Sequence, residues 1–118
     1  MEDIKLKRIY DEPSGDDGYR ILVDRLWPRG VSKEDAKLNE WDKEIAPSSE
    51  LRKWFDHDEE RFNEFSKRYS EELKDKENDL DKLRRIAKKK TLTLLYAAKN
   101  PEINQAVVLK DVLLKELM

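Results

Sequence analysis

GYRILVDRLWPRG, residues 18–30, decides the fold. Ile21, Leu22 and Val23 form a continuous apolar centre, short and two-thirds β-branched. This pattern predicts a strand over 19–26, buried on both faces as in a parallel sheet. Pro28 and Gly30 stop it. Past the apolar centre the residue types change to Asp24, Arg25, Trp27 and Arg29. A buried strand that runs into such residues ends at a structural corner or at a site.

The rest of the chain repeats the alternation of strand and helix. TLTLLYAA, residues 91–98, alternates threonine with leucine and then becomes apolar throughout. Ile4, Leu6, Ile9 and Tyr10 suggest a first short strand, and Trp41, Lys43 and Ile45 a third, ended by Pro47. DEPSGDDG at 11–18 is a loop rich in turn formers. Ser32, followed by Asp35, caps a short helix, and Ser48 or Ser49 caps another that carries Leu51, Trp54 and Phe55. From Asp58, the three- and four-residue spacing of Phe62, Phe65, Tyr69 and Leu73 marks one helix face. DKEND at 75–79 breaks that pattern, and Leu80, Leu83, Ile86 and Ala87 begin a second. Asn100 caps a last helix with Pro101 at its first position, burying Ile103, Ala106, Val107, Leu113 and Leu117. Trp41 and Trp54 are expected in the core.

Strands alternating with helices predict one α/β domain over 1–118, with a small, mostly parallel three- to four-stranded sheet flanked by helices. In such sheets ligands bind beyond the carboxyl ends of the strands. That rule brings 24–30, 46–49 and 96–100 to one edge.

Composition narrows the function. Charged residues make up 44% of the 118, yet the net charge is only −2, so nothing drives the whole chain towards polyanions. The absence of cysteine excludes thiolate chemistry and cysteine–zinc sites, and a single histidine excludes a histidine-rich metal centre. No metal or cofactor is expected. No apolar run reaches the ~18 residues of a membrane span, and MEDIKLKRIY has no signal-peptide core. The expectation is a cytoplasmic protein, monomer or homodimer, away from membranes.

Several residues are candidates for a site. Arg25 and Arg29 present planar donor forks suited to phosphate or carboxylate, and either could instead pair with a carboxylate such as Asp24. Asp24 is the acid–base candidate, or a brace for an arginine. Trp27 is a stacking surface or core. Ser48 and Ser49, at a helix start, offer hydroxyls and N–H groups to an anion or simply cap the helix, and Arg52 adds charge nearby. Tyr96, Lys99 and Asn104 follow the last strand as polar contacts. His57, between acidic residues, reads as a loop or cap. The basic run at 84–90 suits a helix C-terminus and is the weaker case for nucleic acid, since no aromatics interleave it.

IYD at 9–11, GYRILVDRLWPRG at 18–30, Trp41 with APSSELRKWF at 46–55, and LLYAAKN at 94–100 followed by Asn104 come in the order and spacing of one family. The chain resembles the YeaO-like branch of domain-of-unknown-function family 488 over nearly its whole length. The resemblance implies the α/β fold and little chemistry. In the wider family the segment after the last strand often carries a Cys-His-Arg triplet. Ile103, Asn104 and Gln105 occupy that place here, so no nucleophile or metal role of the triplet carries over.

The leading expectation is a domain that binds a small anionic, phosphate-bearing or nucleotide-like ligand at the carboxyl edge of its sheet, with hydrolysis or group transfer as the catalytic form. The alternative is a non-catalytic module that meets protein or nucleic acid through 84–90 or the apolar helix face at 103–117.

Overall fold

The computed structural model describes residues 3–115. Four parallel strands form one sheet: β1 (Ile4–Arg8), β2 (Tyr19–Leu22), β3 (Glu40–Trp41) and β4 (Leu92–Tyr96), in the order β1-β4-β2-β3. β4 lies between β1 and β2, and all five of its residues are buried. The expected α/β class and parallel sheet are what the chain adopts.

Pleat alternation divides the strands between two cores. Ile21, Leu92, Leu94 and Tyr96 face the larger one, with Phe65, Tyr69, Leu83 and Leu109. It is covered by α2 (Ser49–Phe55), α3 (Phe62–Leu73), α4 (Glu77–Lys89) and α5 (Gln105–Lys115). Leu22 and Leu95 face the opposite side and meet Ile9, Ala36, Trp27 and Trp41. That side is closed by α1 (Lys33–Ala36) and its flanking loops.

The caps at the two short helices fall where the sequence places them. Ser32 Oγ accepts from the Asp35 N–H at 3.0 Å, and Ser48 Oγ from the Leu51 N–H at 3.2 Å. Gly18 is required by geometry. It sits at φ +63°, and a Cβ there would come within 2.9 Å of Thr91 Cβ and onto the Thr91 carbonyl that pairs with Tyr19 N–H.

Boundaries differ from expectation for identifiable reasons. β3 stops at Trp41 because Asp42 Oδ1 accepts from the Ile45 N–H and closes a side-chain turn instead of extending the ladder. β2 stops at Leu22, although Val23 N–H still reaches Leu95 O at 3.0 Å. β1 stops at Arg8, with Ile9 buried and Tyr10 exposed. α4 begins at Glu77, inside the expected break, after a 3-10 turn over Lys74–Lys76. Asn100 Oδ1 caps only a bend, accepting from Glu102 and Ile103 N–H. α5 starts later, at Gln105, with Asn104 Oδ1 accepting from Val107 N–H at 3.1 Å. Val108 and Leu109 are therefore buried while Val107 is half-buried. Leu117 lies outside the described residues. Neither Trp41 nor Trp54 is fully buried. Trp54 lies at the rim, with Arg68 at 4.3 Å and Arg61 at 5.4 Å from its ring.

Candidate functional site

Because all four strands run in one direction, the chain leaves each of them at the same edge. Tyr10 follows β1, residues 24–29 follow β2, Pro47 and α2 follow β3, and residues 97–100 follow β4. These segments, with the turn around His57, line one cleft of about 930 Å³, within the size range of small-molecule sites. A second hollow, of about 440 Å³ at the α3–α4 junction, is open and lined by surface residues such as Lys74 and Asp75.

The main cleft is basic in an acidic protein. Arg25, Arg29, Arg52, Lys53 and Lys99 line it, against Asp24, Asp56 and Glu59. Among the described residues none of the five cations is ion-paired. Arg25 is held by backbone: its Nε donates to Pro47 O at 2.9 Å and its Nη2 to Ala46 O at 3.2 Å. It thereby clamps the end of β2 to the segment that leads into α2. Arg29 and Arg52 are exposed.

Asp24 leaves β2 pointing across the cleft floor. Its Oδ2 accepts from the Ala97 N–H at 2.9 Å and its Oδ1 from Gln105 Nε2. Burial pushes its carboxyl up to about 6, against the pull of those two donors and of the Arg52 charge. Trp27 is half-buried. Its indole N–H donates to Val31 O at 2.8 Å, and its ring meets Trp41 edge-on at 5.2 Å. Trp41 Nε1 in turn donates to Asp24 O at 2.8 Å. The stretch that opened the sequence analysis is thus a corner in Arg25 and Trp27, while Asp24 and Arg29 open onto a cleft.

Four of the ten candidates lie outside the lining. Ser48 donates through its N–H (2.9 Å) and its hydroxyl (2.6 Å) to Glu72, so the anion held at the start of α2 is the protein's own carboxylate. Ser49 is exposed in the first turn of α2. Tyr96 faces the larger core, and burial raises its hydroxyl above the ordinary range. Asn104 is 1% exposed and bonded to backbone at both ends, its Nδ2 donating to Asn100 O at 2.8 Å.

The cleft also holds residues that the sequence did not single out. Tyr10 and Leu26 are the exposed large hydrophobics among the described residues, at 46% and 59%, and both line it. Lys53 and Gln105 join them. Of the two surfaces in the alternative, the basic run keeps Arg85, Lys88, Lys89 and Lys90 exposed, whereas Arg84 and the apolar face of α5 turn inward. Arg84 is buried, donating to Leu113 O and Val112 O at the end of α5, and α5 turns Ala106, Val108, Leu109 and Leu113 into the core.

A second buried carboxylate lies away from the cleft. Asp42 is 8% exposed, and its Oδ2 has no hydrogen-bond donor among the described residues. Burial first, then the Asp79 carboxylate against it, push Asp42 up to about 6.

The fold and the cleft together define a small parallel α/β domain with a basic pocket at the carboxyl edge of its sheet. The chain belongs to the DUF488 family: the family model described as the inactive DUF488-N3 subclade matches residues 3–118. It is 54% identical to the uncharacterized protein YeaO of Escherichia coli (strain K12) over 108 residues, covering 92% of this chain and 94% of that one. It is 41% identical to the uncharacterized protein Rv3073c of Mycobacterium tuberculosis (strain H37Rv) over 110 residues, covering 93% and 92%. No solved structure matches it. No helix among the described residues is long and apolar enough to cross a membrane.

Proposed function

We propose that this domain binds a small phosphate-bearing anion in the carboxyl-edge cleft and holds it without cleaving it. The observation that carries the reading is the set of five unpaired cations converging on one concave site in a chain of net charge −2. Arg29 and Arg52 would take the phosphate oxygens through their guanidinium forks, with Lys53 and Lys99 as point charges. Arg25, tied to backbone, would shape the floor.

Binding without bond cleavage is favoured over hydrolysis or transfer on two grounds. The matched subclade is described as inactive. Asp24, the acid–base candidate, already has each oxygen engaged by a donor, so its role here is to fix the loops that carry the cations.

Titration calorimetry with phosphate, ribose 5-phosphate and AMP tests this. At least one binds, and Arg29→Ala weakens it at least about tenfold while the melting temperature stays put. At about 100 times its dissociation constant the same ligand adds about 2.7 kcal/mol, several degrees in a domain this size. Binding by none of the three, or binding untouched in both Arg29→Ala and Arg52→Ala, overturns the proposal.

A further inference from the structure

We infer that the ligand of the cleft is a free mononucleotide, its base seated on the open face of Tyr10 and its phosphate on Arg29. The inference rests on the phosphate-binding reading and adds the other half of the ligand.

Tyr10 is nearly half exposed, yet it is held in place from two directions. The Arg8 guanidinium lies 4.9 Å from the ring centroid and covers one face. Arg8 is itself fixed, its Nε donating to Ala98 O at 2.9 Å and its Nη2 to Ala97 O at 3.4 Å. The Tyr10 hydroxyl donates to Arg29 O at 3.0 Å. The ring is therefore tied directly to the residue that carries a cleft cation.

Leu26 is the other exposed large hydrophobic among the described residues, and it lines the same cleft. Inorganic phosphate or a sugar phosphate would leave both side chains wet. A planar ring joined to a phosphate would cover them and reach the cations together. Trp27 is a poorer platform, because it is half-buried and its ring packs against Trp41. Base-on-aromatic stacking tolerates any base, so the inference is to nucleotides as a class.

The test is calorimetry with AMP and ribose 5-phosphate side by side, on the wild type, Tyr10→Leu and Tyr10→Phe. AMP is expected to bind at least about tenfold tighter than ribose 5-phosphate. Both variants lose the hydroxyl tether to Arg29, so the ring is read from their difference. Tyr10→Phe, which keeps the ring, should retain most of AMP's advantage over ribose 5-phosphate, and Tyr10→Leu should lose it while binding ribose 5-phosphate as Tyr10→Phe does. Equal affinities for the two ligands, or equal losses of both in Tyr10→Leu, overturn the base site while leaving the phosphate site standing. A 5′-phosphorylated oligoadenylate that binds about tenfold tighter than AMP overturns the free mononucleotide in favour of a strand end. If neither AMP nor ribose 5-phosphate binds, the phosphate reading fails first and this inference with it.

Discussion

Asp17 and Asp24 flank β2, one two residues before the strand and the other two residues after it, and their surroundings are opposite. Asp17 is buried and receives Arg20 Nη1 at 2.5 Å, Lys7 Nζ at 3.1 Å and the Ser14 N–H at 2.9 Å. Burial alone would push its carboxyl up, but those three donors outweigh it and hold the group below the ordinary range. Asp24 has an amide and a glutamine as partners, and its carboxyl rises. Arg20 is likewise locked, donating to Ala36 O and Lys37 O as well as to Asp17. Arg29 and Arg52 have no acidic partner among the described residues. The amino edge of the sheet joins its charges to each other, whereas the carboxyl edge leaves its cations open. The first arrangement stabilises a fold, and the second is the feature on which the proposed anion binding rests.

Removing one partner at each edge sets the two against each other. Arg20→Ala is expected to cost about 3–5 kcal/mol in urea unfolding, because it strips a buried carboxylate of its closest cation. Arg29→Ala should change stability by less than about 0.5 kcal/mol. Comparable losses in the two variants would end the distinction.

Gly18→Ala probes the closed edge through backbone alone. Its left-handed φ and the contact with Thr91 predict a loss of at least about 2 kcal/mol in the same measurement. A neutral result would mean that the turn before β2 yields more readily than its packing implies.

At the open edge, Arg52→Ala should weaken ribose 5-phosphate or AMP by about tenfold without lowering the melting temperature. Raising the salt should weaken the wild type more than the variant. A salt dependence that the substitution leaves intact would place the anion elsewhere.

The smallest effect concerns Asp42, which sits between the two regimes: buried like Asp17 and, like Asp24, without a paired cation among the described residues. Its carboxyl is raised from 3.8 to about 6, so the folded state holds the extra proton. Its contribution to stability is full below pH 3.8 and is lost as pH rises through 6. Asp79→Asn replaces the facing carboxylate with an amide that can donate to Asp42 Oδ2. The variant should gain about 1 kcal/mol over the wild type near pH 8 and nothing near pH 4, read as melting temperature across pH. A gain of the same size at both ends would mean that Asp79 acts through helix propensity rather than charge.

Much of the fold was legible from apolar patterning. Ile21, Leu22 and Val23 marked β2, the Thr–Leu alternation marked β4, and the helix face of Phe65, Tyr69 and Leu73 is buried as read. The edge carrying the cleft followed from the parallel direction alone. What escaped was decided by side chains that compete with the backbone. Asp42 ends β3 early and Asn104, not Asn100, starts α5, and several local choices of similar energy exist at each point. Ser48 looked free because its partner, Glu72, is 24 residues away on another helix. Tyr10 read as the end of a strand, because exposure and the cation beneath the ring exist only after folding. The Asp42–Asp79 pair has no local pattern to betray it.

The strand order has a consequence for how the chain is made. β1 and β2 do not pair with each other; both pair with β4, which arrives near the end of the sequence. Until residues 92–96 leave the ribosome, the only sheet pairing within reach is the two-residue register of β2 with β3. The apolar faces of β1 and β2 must stay apart with a strand-wide gap between them, and their open edges are the kind that pair with other chains. A chain that ends before β4 would leave that gap unfilled. For this protein the arrival of β4 is the step that turns a set of helices and loose strands into a sheet, and exposure to misassembly is greatest just before it.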